Sequence, residues 1–215
     1  MQLPFCRKSF YGSETMLQRT DDWYADRLGH ATGSRASDIL AGKDTMARKG
    51  YLTQIVTERL TGRAQDSFVN VDMQRGIDIE PLAKAAYQAS HELTDDVGFV
   101  KHPLIRWFGA SPDALVGTDG LVEIKCPRST THLDYIQSGK PPAKYIPQML
   151  AQLSCTQRKW VDFVSFDDRF PEHLQLFVVR FQPTQEDIEK FESKVKEFLS
   201  EAQNLMEKLC PSPTK

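Results

Sequence analysis

The chain has 215 residues, 40% of them apolar and 26% charged, which is ordinary soluble globular composition with enough apolar side chains for a substantial interior. No apolar run approaches the ~20 residues of a membrane span. The stretch Met1-Gln2-Leu3-Pro4-Phe5-Cys6-Arg7-Lys8 lacks the apolar core of a signal peptide, so an intracellular, cytoplasmic protein is expected. A net charge of −2 excludes a broad basic face that coats nucleic acid; any such contact has to be local, in a groove, a hole or a pocket.

Arg19-Thr20-Asp21-Asp22-Trp23 reads as the entry to a short helix with Thr20 or Asp21 as its N-cap. A Gly/Thr/Ser segment from Gly29 to Ser34 leads into a second helix start at Arg35-Ala36-Ser37-Asp38. Gly50 to Leu60 and Ile79 to Leu93 carry apolar residues at helical spacing, and Glu80 is read as opening the second of these helices. Then the texture changes. Val97 to Ile105 and Ala114 to Val116 are rich in strand formers, Gly117-Thr118-Asp119-Gly120 is a turn signal, and Leu121 to Lys125 follows as a strand. Ala143 to Thr156 returns to helical spacing, Trp160 to Phe166 and Leu174 to Phe181 read as strands, and Thr184 caps a long closing amphipathic helix. Helices followed by a sheet and further helices indicate an α/β (α+β) core: one domain over 1–215, with its centre at about 20–182, the closing helix at 184–209 and a frayed tail at 210–215.

The cysteines, Cys6, Cys126, Cys155 and Cys210, are scattered without a C-x-x-C pair, which argues against a zinc site, an iron–sulfur cluster or a disulfide framework and for free thiols. The chemistry gathers elsewhere. Strand residues two apart share a face, so Glu123 and Lys125 point one way while Ile124 points into the core, and a hairpin returns Glu123 beside Asp113. Two acids and a lysine in an apolar strand are costly unless something uses their charges. A divalent cation supplies the use: carboxylate oxygens match Mg²⁺ or Mn²⁺, and phosphodiester hydrolysis needs an activated water and a stabilised leaving oxygen. D-x(9)-E-x-K by itself also describes the solvent face of an edge strand. Pro112 before the Asp, the small run Gly109-Ala110-Ser111 that would let a phosphate come close, and a third carboxylate at Glu80 favour the nuclease reading.

Gly109-Ala-Ser-Pro-Asp-Ala-Leu-Val-Gly117 and Gly120-Leu-Val-Glu-Ile-Lys-Cys-Pro127 resemble the core of the phage lambda exonuclease family, the YqaJ-type viral recombinases of the PD-(D/E)xK nuclease superfamily. The resemblance extends to Trp23-x-x-x-Arg27-Leu-Gly29 with Thr32-Gly-Ser34, to Gly76-x-x-x-Glu80 and to Tyr145-x-x-Gln148-x-x-x-Gln152, in the family's order over roughly residues 20 to 170. It implies a restriction-endonuclease-like core, a central mixed β-sheet flanked by helices, and a 5′→3′ exonuclease that degrades the 5′-ended strand of linear duplex DNA and leaves 3′ overhangs for recombination. Asp113, Glu123 and the backbone carbonyl of Ile124 would hold metal, Lys125 would serve the water, Glu80 would support a second ion, and Gln148 would help hold the site. The implied cofactor is two Mg²⁺ ions, which Mn²⁺ could replace. The implied assembly is a homotrimeric ring around DNA, and the implied partner a single-strand annealing protein in a bacterial host cell, with a phage or prophage origin.

A 5′-phosphate pocket has its parts in this sequence as well. Arg27 can clamp a phosphate with a planar fork, Ser34 lies at an expected helix start where the dipole favours an anion, and Ser111 is two residues from Asp113. Arg35, Arg75 and Met73 are further DNA contacts, Met73 as an apolar wedge just upstream of the Glu80 helix. Two other readings stay open: an endonuclease of restriction or junction-resolving type, and a non-catalytic DNA-end-binding module.

Overall fold

The structure, a computed structural model, describes residues 18–65 and 70–211. Cys6 and the N-terminal stretch, as well as 212–215 of the tail, lie outside the described residues.

The helix α1 (Asp21–Arg27) starts where Thr20 accepts the Trp23 N–H, with Asp21 and Asp22 in the first turn facing the positive end of the dipole. A two-residue strand β1 (Ala31–Thr32) leads through a single 3₁₀ turn, Gly33–Arg35, into the short α2 (Ala36–Leu40). The helix α3 (Met46–Thr61) is capped by Thr45 and ends at Gly62 in the left-handed conformation. The next helix, α4 (Val71–Ser90), is longer than its apolar stripe predicts. Asn70 accepts the Met73 N–H and starts it well before Glu80, which therefore sits mid-helix next to Pro81 instead of opening a helix; Met73 is in its first turn, not upstream of it. Proline at that position looks like a helix start because its missing N–H is harmless there.

The strands follow as β2 (Thr94–Asp95), β3 (Val100–Lys101), β4 (Phe108–Ala110), β5 (Ala114–Val116) and β6 (Gly120–Lys125). The expected strand over Val97 to Ile105 is mostly loop, since only Val100–Lys101 finds a partner in β4. Two short helices escape the periodicity reading: α5 (Ser129–Ser138) and, after α6 (Ile146–Thr156) and β7 (Trp160–Phe166), α7 (Glu172–Gln175). Last come β8 (Leu176–Phe181) and α8 (Gln185–Leu209), whose Thr184 and Asp187 form a reciprocal capping box.

The main sheet has the order β2-β5-β6-β7-β8; only β6 and β7 run parallel. A small sheet, β1-β4-β3, stands beside it. Period-two alternation sends Val122 and Ile124 to one face, where they pack with Ala83 and Tyr87 of α4, and Leu121 to the other, against Met149 and Leu153 of α6. Glu123 follows Leu121. Its strand is central, not an edge, so the acid lies under α6 and is fully buried. A third cluster joins α2, α3 and α8 around Tyr51 and Phe198, whose rings stack at 5.5 Å. Two glycines are dictated by close approach: a Cβ on Gly109 would lie 2.3 Å from the Phe99 ring, and one on Gly120 would lie 2.1 Å from Trp160. The smallness of Gly109 therefore makes room for the Phe99 ring.

Phe198 has no exposed surface and fastens α8 to α3. Phe198→Ala should cost about 3–5 kcal/mol of unfolding free energy, read from urea unfolding; a loss under ~1 kcal/mol would mean that α8 is not part of the cooperative unit.

Candidate active site

The hairpin of β5 and β6 brings Asp113 opposite Glu123. The Asp113 N–H donates to the Val122 carbonyl at 3.2 Å, and its Oδ2 accepts the Ile124 N–H at 2.6 Å. Glu123 Oε1 accepts from Gln148 Nε2 at 2.6 Å and pairs with the Lys125 ammonium; its Oε2 accepts from Gln152 Nε2. Gln152 is itself fully buried and also reaches the Ser111 carbonyl at 3.5 Å. Its i, i+4 spacing from Gln148 on α6 turns both amides toward β6. That spacing was visible in the sequence, although only Gln148 was read as functional. Tyr145 lies over Lys125 with the ammonium 5.3 Å from the ring centre.

On the other side, Asp113, Ile124 and Glu80 line one cleft of about 340 Å³ together with Gln18 and Lys84. Glu80 is ion-paired with Arg19 at 2.6 Å, and Gln18 donates to the Pro112 carbonyl at 2.7 Å. The charges act on one another. Burial, then the nearby Glu123 and Glu80 carboxylates, hold the Asp113 carboxyl well above its ordinary range, against the pull of Lys125. Burial works against the Lys125 charge, but Glu123 and Asp113 outweigh it and raise its pKa, so the side chain is a firm ammonium. Burial also pushes the Cys126 thiol up to about 12, which removes it as a nucleophile.

Among the described residues no three His, Cys, Asp or Glu side chains stand together as a ready ligand cage. Each acid is instead held by a donor: Glu123 by Lys125 and two amides, Asp113 by the Ile124 N–H, Glu80 by Arg19. The set nevertheless fits a hard divalent cation. It is made of carboxylate oxygens, the acids repel one another in a poorly solvated place, and Gln152 Oε1 is a buried acceptor without a partner.

Arg27, in the last turn of α1, lies over Trp23 at 4.0 Å and donates to Ser111 Oγ at 3.3 Å; the Trp23 Nε1–H donates to the same oxygen at 3.0 Å. Burial lowers the Arg27 pKa somewhat, and among the described residues no carboxylate pairs with it. Ser34 comes alongside through parallel pairing of β1 with β4, since Thr32 faces Gly109 and Gly33 abuts Ala110. It sits inside the 3₁₀ turn that runs directly into α2, with its Oγ 3.4 Å from Thr32 Oγ1. Two of the other expected DNA contacts are engaged within the fold. Arg35 lies over Tyr51 and pairs with Asp38 and Gln54, while Arg75 pairs with Asp167 and Asp168 and donates to the carbonyls of Cys126 and Pro127. Met73 is half-exposed on α4.

Residues 22–159 match the model of the YqaJ-like viral recombinase domain. The chain belongs to this family. Among solved structures it is similar to the alkaline exonuclease LHK-Exo from Laribacter hongkongensis, with 42% identity, a TM-score of 0.83, and coverage of 88% of this chain and 96% of that one. LHK-Exo in complex with dAMP matches at 43% identity over the same shares, with the same TM-score. A phage-related exonuclease from Haemophilus somnus 129PT, at 16% identity and a TM-score of 0.64, covers 84% of this chain and 96% of its own and shares the fold. No curated protein sequence matches. This YqaJ-like domain is a nuclease with a mixed α/β fold, and none of its helices among the described residues is long and apolar enough to cross a membrane.

Because the folded chain raises the Asp113 pKa, the native state loses stability as pH rises from the ordinary carboxylate range through that raised value, and the penalty vanishes at acid pH. In buffer with EDTA, Asp113→Asn should match the wild-type melting temperature near about pH 4 and exceed it progressively toward neutrality, by roughly 2–4 °C per kcal/mol relieved. A gain that does not change with pH would show that the charge is not its source.

Proposed function

We propose that this YqaJ-like domain is a Mg²⁺-dependent 5′→3′ exonuclease that degrades the 5′-ended strand of linear duplex DNA to mononucleotides. The observation that carries the reading is the junction of Arg27 with Ser111. A partly buried guanidinium, with no carboxylate partner among the described residues, is held on Ser111, two residues from Asp113, where an anion other than the scissile phosphate would rest. Arg27 and Ser111, with Ser34 alongside, clamp the terminal 5′-phosphate, and the next phosphodiester then lies toward Asp113 and Glu123. The 5′ end thus acts as a stop that sets one nucleotide as the unit removed.

Bound Mg²⁺, with Mn²⁺ as a substitute, held by Asp113, Glu123, the Ile124 carbonyl and, for a second ion, Glu80, would supply water activation and charge neutralisation at phosphorus. With Asp113 and Glu123 facing it Lys125 is held protonated, which suits it to orient the attacking water and offset negative charge in the transition state. Gln148 and Gln152 fix both oxygens of Glu123 in one orientation. Two features of the wider reading come from the family resemblance, and a ring would also reconcile the modest net charge with DNA binding. A ring of three copies confines positive charge to an inner wall, and the 3′ overhang passes to a single-strand annealing protein in the cytoplasm of a bacterial host.

With Mg²⁺ present, digestion should be fast on linear duplex carrying a 5′-phosphate, slow on a 5′-hydroxyl end and absent on closed circles. Arg27→Ala should shrink the 5′-phosphate advantage. Lys125→Ala should lower the rate by on the order of 10²–10³-fold, and EDTA should abolish digestion. Cleavage of closed circles would favour an endonuclease, and equal rates on the two linear ends would remove the phosphate pocket.

A further inference from the structure

Most arginines among the described residues are ion-paired, as Arg48 is with Glu201 and Arg180 with Asp162, or are spent on carbonyls, as Arg158 is. Apart from Arg27 and the exposed Arg63, the exceptions are Arg59 and Arg106, and these two share one ring. The Arg59 guanidinium lies 4.6 Å from the Trp107 ring centre and that of Arg106 lies 5.4 Å from it. Arg59 donates Nε–H to the Gly29 carbonyl at 2.8 Å, but its Nη2 is buried without an acceptor among the described residues. The adjacent Glu58 gives no relief, because its carboxylate is taken by the Gly29 N–H at 3.0 Å and by Gln54 at 2.8 Å. Burial, and after it the like charge of Arg106, lowers the Arg59 pKa to about 10. A desolvated cation beside another cation, with N–H groups to spare, is an unfavourable arrangement until an oxyanion joins it.

The surroundings are built to hold it. Trp107 has φ of +65°, a left-handed backbone that a bulky residue adopts only under constraint. Its carbonyl accepts the Ala31 N–H at 2.8 Å, which ties it to β1. Arg59, Arg106 and Trp107 open onto a cleft of about 400 Å³ walled also by Leu28, by Glu58, whose carboxylate is engaged by Gly29 and Gln54, and, from α8, by Gln203 and Met206.

We propose that this cleft is a second phosphate seat, which takes a backbone phosphodiester of the DNA whose 5′ end rests at Arg27 and Ser111. The inference rests on the exonuclease reading above. The link is structural: the His30 ring lies 5.5 Å from Phe99, which also faces Arg27, and 4.9 Å from Trp107, which carries Arg59. One row of rings thus mounts both unpaired guanidinium sites. A planar fork on Arg59 with a second arginine on the same ring can grip a phosphodiester oxygen pair. A few such local seats are how a chain of net charge −2 would hold a polyanion.

Binding in EDTA separates this site from catalysis. Anisotropy of a labelled 5′-phosphorylated linear duplex, measured over a salt series, should show Arg106→Ala and Arg59→Gln each weakening binding by about 5-fold at low salt. Each should also lower the slope of log K against log salt by roughly 0.9, the value for one phosphate contact. Both variants should keep the wild-type ratio of rates on 5′-phosphate and 5′-hydroxyl ends in Mg²⁺. Arg106 is exposed, so its variant keeps the test valid if Arg59→Gln does not fold. Unchanged affinity and slope would overturn the proposal. So would a loss of affinity confined to 5′-phosphorylated ends, because the cleft would then only support Arg27. Failure of the wild type to degrade linear duplex would instead fall on the exonuclease reading and leave the binding comparison intact.

Discussion

Glu123 is a carboxylate without exposed surface in the central strand of a five-stranded sheet, covered by α6. An ionised carboxylate moved from water into such a place loses several kcal/mol of solvation even after relaxation, so the surrounding structure is organised to return it. Lys125, two residues along the same strand, supplies the opposite charge, and α6 supplies two amides one helical turn apart. The glutamines at two positions of α6 answer to the one buried acid, under a helix that Met149 and Leu153 seat on Leu121. The arrangement is also asymmetric. Lys125 is held charged by Glu123 and Asp113, while Asp113, on the cleft side, is held toward its neutral form by burial and then by Glu123 and Glu80. When Asp113 ionises, three carboxylates face only Lys125 and Arg19, a balance that favours a bound cation.

The second constraint is steric. Gly33, Ala110 and Ala151 approach so closely that a Cβ on Gly33 would lie 3.0 Å from that of Ala110 and 3.3 Å from that of Ala151. This contact seats the small β1-β4-β3 sheet against α6 and carries Ser111, Arg27 and Trp23 to the edge of the acidic site. Rings then determine where the cations stand. Trp23 and Phe99 carry Arg27, and Trp107 carries Arg59 and Arg106, so guanidinium groups that lack carboxylate partners are still fixed in direction. Other arginines of the surface read the same in a sequence and are spent inside the fold. Arg75 pins α4 to the β7–α7 loop through Asp167 and Asp168, and Arg35 braces α2 against Tyr51.

The amino-acid sequence by itself determined the hairpin, the two acids and the lysine on it, the caps of α1 and α8, and the strand at Trp160–Phe166, because these are short-range matters of turn chemistry, capping and period-two alternation. It also contained the spacing that places Gln152 with Gln148, although an isolated pair of polar residues on a helix does not say what it faces. The tertiary structure alone decided whether Glu123 lies at an edge or in the centre, since strand order depends on contacts between distant segments. It decided that Glu80 is mid-helix, because Asn70, ten residues upstream, captures the helix start that Pro81 imitates. And it decided which arginines remain unpaired among the described residues: a guanidinium is defined by the partner it meets, and for Arg48, Arg75 and Arg180 that partner is distant along the chain.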